Sequence, residues 1–510
     1  MKSKIIEAKK VAGYIKDGST VATNGFIGTA FPEELALEIE KSFLETGHPK
    51  DLTLLYGAGQ GDKRDKGLNH FGHEGLLKCV IGGHWGLVPK VQKLAIDNKI
   101  FAYNLPQGVI SHMFRDIAAK KPGTITHVGL NTFVDPRSEG GRINEKTKLD
   151  IVDLIHINEK EYLLYKYIPV DVALVRGTTA DTNGNITMER EALTVEILSV
   201  CQAARNSGGI IIAQVENIVE NGSLDPKQVV VPGIFVDFIV RTEDPQYHMQ
   251  TFSESYNPSY CGKQGEPGSE YTAAGSLERQ IICRRASQEL TEGSVINLGI
   301  GMPEGIVDII SDQQIMEDVK ITVESGPIGG MPAGGLSFGC SRFPEAVIDQ
   351  PYQFDFYQGN GLDIAFLGLA QTDADGNVNV SKFGSKIAGC GGFIDITQNS
   401  KKVVYCGTFT AGGLVISLES GKIKIMKEGS IKKFIKKVEQ ITFNGNYSVK
   451  RGQEVLFITE RAVFNLTAAG MELIEISPGI DIRRDILDNM EFTPLISKNL
   501  KIMEGIFQEV

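Results

Sequence analysis

Short apolar runs alternate with mixed apolar and polar stretches along the whole chain. Residues 52–56 (Leu-Thr-Leu-Leu-Tyr) and 210–215 (Ile-Ile-Ile-Ala-Gln-Val) are short and strongly apolar, which predicts buried strands. Residues 276–290 predict a helix, with Ser276 placed as its N-cap. This alternation is typical of parallel sheets covered by helices. The pattern therefore predicts an α/β fold built on mostly parallel, open sheets.

The same pattern occurs twice in the sequence. An Asp-x-Ala strand begins at Asp171 and again at Asp363, and an Asp-x-x-Gly-Asn turn follows each strand, at Asp181 and at Asp373. Both motifs recur at an offset of 192 residues. A single short turn of this kind recurs by chance, but several matches in the same order indicate a duplicated domain.

The segment between the two copies is polar and rich in Pro, Gly and Ser. Such a composition is typical of an interdomain linker. We predict a first α/β domain over residues 1–245, a linker over residues 246–275 and a second α/β domain over residues 276–510. The length of 510 residues suggests two to four domains, at about 100–200 residues per domain.

The composition narrows the functional class. Hydrophobic residues make up 42% of the 510 residues, which is ample for packed cores. The formal net charge of −11, without a basic arm, disfavours a nucleic-acid partner. The seven cysteines are scattered, the N-terminus lacks the apolar region of a signal peptide, and no apolar run reaches the ~20 residues of a membrane span. We expect a soluble cytoplasmic protein with no membrane partner.

One carboxylate has a position suited to catalysis. Glu324 follows the apolar run 319–323 and precedes a glycine-rich turn. A glutamate at a strand end can be approached closely by a large substrate, as a nucleophile must be, although a capping or surface glutamate has the same pattern. In the first copy, the corresponding exit is predicted after strand 52–56 and carries Tyr56-Gly57. The duplication therefore predicts a single, asymmetric site.

Two glycine-rich segments are candidates for binding anions. Residues 299–305 miss the dinucleotide fingerprint by one position and contain Pro303, which disfavours NAD, while a turn that offers amides to a pyrophosphate stays open. Residues 389–393 (Gly-Cys-Gly-Gly-Phe) could present amides to an oxyanion or form a plain tight turn. The lysines around this second segment could meet an anionic ligand or form a solvated surface; they are Lys382, Lys386, Lys401 and Lys402.

Two further sets of side chains are weaker candidates. Cys390 is disfavoured as a nucleophile because every histidine lies at or before His248, so that a Cys–His pair would have to form across domains. A second set could suggest a metal site: His70, His73, Glu74 and His84. Their order does not match a zinc-protease motif, so a polar helix start packed near Trp85 is favoured over a metal site.

Taken together and in order, these segments resemble the class I coenzyme A transferases, and among them the bacterial propionate and acetate CoA-transferases. The resemblance covers essentially the whole chain, including the duplication. Residues 323–326 (Val-Glu-Ser-Gly) are similar to the catalytic E-x-G motif and residues 389–393 to the G-x-G-G-F motif; the other similar segments are 297–301, 106–108 and 398–399. The resemblance implies a CoA-transferase/NagB-like α/β fold for both domains.

The resemblance also implies roles for individual residues. Glu324 would attack an acyl-CoA thioester and carry CoA as a glutamyl-CoA thioester, in a ping-pong transfer to short-chain carboxylates such as propionate, acetate, lactate or butyrate. Gln107 and the amides of Gly391 and Gly392 would stabilise oxyanions. The CoA site would be lined by Leu298, Gly299, Ile300, Gly301 and Met302. No cofactor or metal is implied, because the CoA thioester is itself a substrate, and the family favours homo-oligomers (dimers or tetramers).

The residue types fit this chemistry. An ordinary glutamate, with a reference pKa near ~4.3, is ionised at neutral pH and needs no base. Its tetrahedral intermediates need preorganised donors, worth ~3–4 kcal/mol each, and water must be kept from the anhydride. We expect a cleft at the domain interface, with Gln107 supplied by the first domain. Two alternatives stay open: an acyl-CoA hydrolase on the same scaffold, and a non-catalytic CoA or sugar-phosphate sensor, which would have no need of Glu324.

Overall fold

The computed structural model describes residues 3–262, 275–312 and 319–506. The chain forms two compact units whose segments alternate along the sequence. Unit 1 comprises residues 1–265, 323–355 and 385–395, and unit 2 comprises residues 266–322, 356–384 and 396–510. The two units are defined by contacts between residues, whereas the domains expected at 1–245 and 276–510 are defined by the sequence duplication. The domain limits therefore remain a prediction. Of the predicted linker, residues 263–274 lie outside the described residues, and those up to 262 belong to unit 1.

The strands up to residue 241 belong to unit 1. They are β1 (Thr20–Thr23), β2 (Leu52–Tyr56), β3 (Leu77–Gly82), β4 (Phe101–Asn104), β5 (Gly123–Thr126), β6 (Val152–Ile157), β7 (Lys160–Lys166), β8 (Val172–Asp181), β9 (Ile186–Thr187), β10 (Ile210–Val219), β11 (Val229–Val231) and β12 (Phe238–Arg241). The order β4-β3-β2-β1-β8-β10-β12 runs through the principal sheet, and each of these pairs is parallel. β5, β7 and β6 form a separate antiparallel sheet.

The strands after residue 275 are mostly shorter. They are β13 (Val295–Leu298), β14 (Lys320–Thr322), β15 (Pro327–Ile328), β16 (Met331–Pro332), β17 (Ser341–Arg342), β18 (Ala346–Val347), β19 (Ile364–Gly368), β20 (Gln371–Thr372), β21 (Val378–Asn379), β22 (Lys382–Phe383), β23 (Lys386–Ile387), β24 (Lys402–Cys406), β25 (Thr410–Ala411), β26 (Val415–Glu419), β27 (Lys422–Lys427), β28 (Ile431–Lys432), β29 (Glu454–Ile458), β30 (Ala462–Thr467), β31 (Gly470–Ile476) and β32 (Leu495–Ile502). In unit 2, the order β14-β13-β19-β24-β29 is parallel throughout, and β30, β31 and β32 extend it.

Helices complete both units. They are α1 (Glu33–Thr46), α2 (Pro89–Ile96), α3 (Gln107–Ala118), α4 (Ile197–Ser207), α5 (Leu277–Ser287), α6 (Ile306–Asp312), α7 (Gln350–Gln358), α8 (Phe393–Thr397) and α9 (Gly445–Lys450). Strands of a parallel sheet are buried on both faces, and accordingly every residue of β8 is buried. The predicted α/β class with mostly parallel sheets is confirmed. None of the helices within the described ranges combines the length and apolarity needed to cross a lipid bilayer.

The predicted duplication is present in the two principal sheets. The order and direction of β2-β1-β8-β10-β12 recur in β14-β13-β19-β24-β29. Val172 lies opposite Ile210, and Ile364 lies opposite Lys402, so the offset of 192 residues holds across neighbouring strands. The two copies therefore share strand order and register.

Each copy also repeats the hydrogen bonds of its aspartates. Asp171 and Asp363 each accept a bond of 2.8 Å from the first strand of their own sheet. Asp181 and Asp373 each accept bonds from the N–H groups two and four residues further on. Aspartate favours such turns because its short side chain bonds the backbone just ahead of it. These repeated contacts explain why the two motifs recur in the sequence.

Four local predictions can be compared with the observed elements. Strand 52–56 is observed with the predicted bounds, and strand 210–215 continues to residue 219. Ser276 caps α5 by accepting a hydrogen bond from the Arg279 amide, and the helix ends at Ser287. The strand predicted at 319–323 spans Lys320–Thr322, so Glu324 lies in the turn that follows.

Candidate functional site

Glu324 lies in a tight turn after β14. The turn is closed by the Val323 N–H, which donates to Pro327 O at 3.0 Å. Gly326 has a φ of 132°, and a Cβ there would lie 2.1 Å from a backbone carbonyl, so only glycine fits. The hydroxyl of buried Ser325 donates to another backbone carbonyl at 2.6 Å. The backbone that carries the half-buried Glu324 is therefore firmly fixed within unit 1.

The glycine loop, residues 389–393, docks on the carboxyl ends of β3 and β4. The Gly391 N–H donates to Gly83 O at 2.8 Å, and the Cys390 N–H donates to the Asn104 side chain at 2.9 Å. Gly389 and Gly391 have φ values of 79° and 52°, in the left-handed region that favours glycine. The carboxyl edge of a parallel sheet is the usual place for a ligand site, and the glycine loop lies there.

Gln107 and Glu324 flank the glycine loop. Gln107 is the first residue of α3, and its N–H donates to Gly391 O at 2.9 Å. Its Oε1 lies 3.7 Å from the position that a Cβ on Gly391 would occupy, and a Cβ on Gly392 would lie 3.5 Å from Glu324 Cγ. Unit 1 thus brings together the four residues that the sequence predicts as catalytic, although Gln107 and Glu324 fall in different predicted domains.

Phe354 of α7 packs beside the glycine loop. A Cβ on Gly392 would lie 3.2 Å from its Cζ, and a Cβ on Gly108 would lie 2.5 Å from its Cδ1. The ring is fully buried. It covers this side of the candidate site with apolar surface, as exclusion of water from a reactive intermediate requires.

His84 also lies against the glycine loop. Its Cδ2 is 3.7 Å from the Cβ position of Gly391, and its backbone pairs with Gly389. Burial, together with the nearby charge of Lys63, lowers the pKa of His84 to about 4. The imidazole is therefore neutral and a weak base at neutral pH. Among the described residues, neither His84 nor the other members of the predicted histidine set belong to a group that could hold a metal ion.

The rest of that set pairs with charged side chains. His70 contacts Glu40 through Nδ1 and lies 3.0 Å from Glu33 through Nε2, while His73 Nε2 lies 2.6 Å from Glu40. Burial disfavours the charged ring, but the bonds to the two glutamates outweigh burial and raise the pKa of His70 to about 9. Glu74 pairs with a lysine instead. These contacts form an ion-pair network that secures α1.

The surroundings of Cys390 and of two flanking lysines favour roles in the fold over roles in catalysis or ligand binding. Burial raises the pKa of the Cys390 thiol well above its ordinary value, which disfavours the nucleophilic thiolate. In unit 2, Lys401 lies 2.7 Å from Asp363, and Lys402 lies 2.6 Å from Glu289. For these lysines the contacts favour ion pairs within the fold over a role in ligand binding.

The segment predicted to line the CoA site, Leu298–Met302, lies in unit 2 at the carboxyl end of β13. The Gly299 N–H donates to a carbonyl of β19 at 2.8 Å. Gly301 has a φ of 91° and precedes a short 3-10 helix, Met302–Gly305. Ile300 is 53% exposed. Residues 299–302 therefore form an accessible turn at the edge of the sheet where ligands usually bind, whereas Leu298 is buried as the last residue of β13.

Sequence reasoning missed a buried polar network beside Gln107. Gln350 Nε2 donates to Ser111 Oγ at 2.6 Å and to Glu196 Oε2 at 2.7 Å, while Gln350 Oε1 accepts from Gln107 Nε2 at 3.1 Å. Ser111, Glu196 and Gln350 are fully buried and Gln107 is 3% exposed. No motif or periodicity marks Ser111, Glu196 or Gln350, because their contacts join segments far apart in the sequence.

The chain is similar to several known proteins along most of its length. Residues 5–242 match the family model described as coenzyme A transferase. The chain is 47% identical to caffeate CoA-transferase of Acetobacterium woodii, over 99% of this chain and 98% of that protein. It is 41% identical to acetate CoA-transferase YdiF of Escherichia coli (strain K12), over 98% and 94%. The crystal structure of the acyl-CoA transferase YdiF of E. coli O157:H7, in its thioester complex with CoA, is similar with a TM-score of 0.93 and 40% identity, over 99% of this chain and 96% of that one.

Proposed function

Because the chain belongs to the coenzyme A transferase family, we propose that it moves CoA between a short-chain acyl-CoA and a free short-chain carboxylate. The proposed acids are propionate, acetate, lactate and butyrate. The observation that supports this proposal most directly is the grouping of Glu324, Gln107 and Gly392 within one compact unit. A carboxylate beside amide donors is what acyl transfer through a glutamate requires.

The proposed reaction is ping-pong. A Glu324 carboxylate oxygen attacks the thioester carbonyl carbon, and the tetrahedral intermediate expels the CoA thiolate to leave an acyl-glutamyl anhydride. The thiolate then attacks the Glu324 carbonyl carbon of the anhydride, which releases the first acid as its carboxylate and leaves a glutamyl-CoA thioester. A second carboxylate runs both steps in reverse. No proton is transferred, so the weakly basic His84 is compatible with this route.

Two donors are proposed for the oxyanions: the Gln107 side-chain amide and the Gly392 N–H. No hydrogen bond of the Gly392 N–H is found within the described ranges of the chain. The Gly391 amide is also predicted for this role, but that prediction is wrong because the Gly391 N–H already donates to Gly83 O. Gly391 instead supplies the left-handed backbone and the carbonyl that anchors the Gln107 N–H.

The similar proteins act on different acids according to their names. The similar proteins are named for acetate and for caffeate, which is an aromatic acid. One methylene in a pocket is worth only ~1–3 kcal/mol, so homologous acids can differ modestly in rate. We therefore propose a short-chain preference and include caffeate among the acceptors to be tested.

The substrates are also the proposed partners. We propose that Leu298, Gly299, Ile300, Gly301 and Met302 contact CoA, and that the enzyme acts in the cytoplasm as a homo-oligomer, a dimer or a tetramer, without a cofactor or metal. Sedimentation of the purified protein tests the oligomeric state. Substitution of exposed Ile300 by Asp is expected to raise KM for acyl-CoA with little change in kcat, because it would place a negative charge beside an anionic substrate.

Initial rates test the function itself. Propionyl-CoA and acetate are varied against each other and acetyl-CoA is measured, then acetate is replaced by lactate, butyrate or caffeate. Parallel double-reciprocal lines are expected for a ping-pong transferase. CoA release without an acceptor, at the rate of transfer, would instead identify an acyl-CoA hydrolase, and binding of CoA without turnover would identify a sensor.

A further inference from the structure

Gln107 can act as an oxyanion donor only if its amide has a fixed orientation. A glutamine amide that rotates freely presents its oxygen as often as its nitrogen, and an oxygen would repel the oxyanion. In unit 1, Gln107 Nε2 donates to Gln350 Oε1 at 3.1 Å, which fixes the amide through one of its two hydrogens and leaves the other for a further acceptor.

Gln350 is in turn fixed by two acceptors. Its Nε2 donates one hydrogen to Ser111 Oγ at 2.6 Å and the other to Glu196 Oε2 at 2.7 Å. With both hydrogens used, only Gln350 Oε1 is left to face Gln107. Glu196 and Ser111 thus decide which end of the Gln350 amide meets Gln107.

The backbone next to Glu196 is strained at Val195, beside the contact between Glu196 and Gln350. Val195 has a φ of 52°, a left-handed conformation that β-branched residues rarely adopt. In that conformation the Val195 carbonyl accepts from the Gln350 N–H at 2.8 Å, while the Glu196 N–H donates to the Asn24 side chain at 3.1 Å. Strain of this kind persists where the surrounding structure holds a residue for a purpose, as at many active sites.

We propose that Glu196 is a positioning residue for acyl transfer, which acts through Gln350 to orient the Gln107 amide toward the oxyanion. This inference rests on the proposed function of Gln107. Glu196 is not proposed to contact a reacting atom. It affects catalysis by fixing Gln350, which in turn orients Gln107.

The charge state of Glu196 agrees with this role. Burial, with the nearby charge of Asp349, raises the pKa of Glu196 to about 8, so the carboxyl group is neutral at pH 6.5. Glu196 Oε1 faces Gly57 and has no hydrogen-bond partner among the described residues, which an ionised carboxylate could hardly tolerate. A neutral acid can accept from Gln350 without adding a negative charge beside a developing oxyanion.

The test compares Glu196→Ala with Glu196→Gln at pH 6.5, in the propionyl-CoA and acetate assay. Glu196→Gln keeps a neutral acceptor for Gln350 and is expected to retain kcat within about threefold. Glu196→Ala removes the acceptor and is expected to lower kcat by ~10-fold or more, with KM for propionyl-CoA unchanged, since misplaced groups cost rate rather than binding. Glu34→Gln is the matched control: Glu34 is a half-buried glutamate of α1 whose pKa is likewise raised by burial and whose carboxyl group faces Thr242, and kcat should stay within about twofold.

A double-mutant comparison separates positioning from packing. Gln107→Ala is expected to lower kcat by ~10²-fold, and Gln107→Ala combined with Glu196→Ala should be no slower than Gln107→Ala alone, because Glu196 acts through Gln107. Multiplying effects in the double variant, or equal loss in Glu196→Gln and Glu196→Ala, would overturn the proposal. If Glu196→Ala does not fold, Gln350→Met carries the same prediction. Failure of the proposed function would appear differently, as absence of transfer by the unmodified enzyme.

Discussion

Gly57 and Glu324 occupy equivalent positions in the two copies of the sheet. Each lies three residues beyond a matched strand residue, Leu54 or Ile321, and those residues pair in the same register with the first strand of their own sheet. The duplication therefore offers two strand exits and places a carboxylate at only one. At the other strand exit, a Cβ on Gly57 would lie 3.3 Å from Glu196 Oε1. The absence of a side chain at Gly57 therefore leaves space for the buried polar network beside Gln107.

Substitution of Glu324 should remove the reaction. Glu324→Gln and Glu324→Ala are expected to lower kcat for propionyl-CoA and acetate by at least ~10³-fold, because loss of a covalent nucleophile removes the whole route. Glu45→Gln, at an exposed glutamate of α1, is the control and should leave the rate unchanged. Steady-state transfer rates check this, and a tenfold or smaller loss in Glu324→Ala would assign the nucleophile elsewhere.

Gly391 should matter more for activity than its strain alone explains. Gly391→Ala forces alanine to a φ of 52° and is expected to reduce the free energy of unfolding by ~1–2 kcal/mol and kcat by ~10-fold, as the glycine loop shifts. Gly421→Ala has matching strain, with a φ of 72° in open space, and should reduce stability similarly with no loss of rate. Denaturant unfolding and transfer rates measure both. Equal rates in the two variants would separate the loop from catalysis.

The ion-pair network of α1 should make stability depend on pH. Because the pKa of His70 is raised to about 9, the stabilisation from its bonds to Glu33 and Glu40 is complete below pH ~6.5 and is lost as the pH rises through about 9. The loss can reach ~1.4 kcal/mol per pH unit within that window. The difference in melting temperature between the wild type and His70→Gln should therefore shrink from pH 6.5 to pH 9.5. Leu44→Gln, at an exposed residue of the same helix that carries no titratable group, should show no such trend.

Cys390 should be unreactive despite its place in the glycine loop. Burial holds the pKa of its thiol well above the ordinary value, so iodoacetamide at pH 8 should leave Cys390 unmodified and the transfer activity intact. After unfolding in guanidinium the same cysteine should be alkylated. Peptide mass spectrometry distinguishes the two states, and rapid native labelling of Cys390 with loss of activity would revive the thiol as a candidate nucleophile.

Local chemistry made part of this structure predictable. Strand 52–56 and the Ser276 cap are encoded in a few adjacent residues, and the aspartate turns at Asp181 and Asp373 repeat because the same backbone bonds form in each copy. Glu324 could be singled out because a strand and a glycine turn flank it in the sequence. Each of these signals lies within about ten residues of the feature that it predicts.

Contacts between distant segments could not be predicted in this way. The bond from Gly391 to Gly83, which occupies an amide expected to serve an oxyanion, joins residues about 300 positions apart. Glu196 and Gln350 meet Gln107 for the same reason, through the packing of three remote segments. The left-handed Val195 that supports them contradicts its own propensity, so local rules predict the opposite conformation.

We infer that Glu324 carries CoA covalently. Peptide mass spectrometry after incubation with propionyl-CoA, in the absence of an acceptor, detects such a thioester directly. We predict a CoA adduct on the peptide that contains Glu324, its discharge as acetyl-CoA when acetate is added, and its absence in Glu324→Ala. A peptide without the adduct, together with undiminished transfer by Glu324→Ala, would contradict the account.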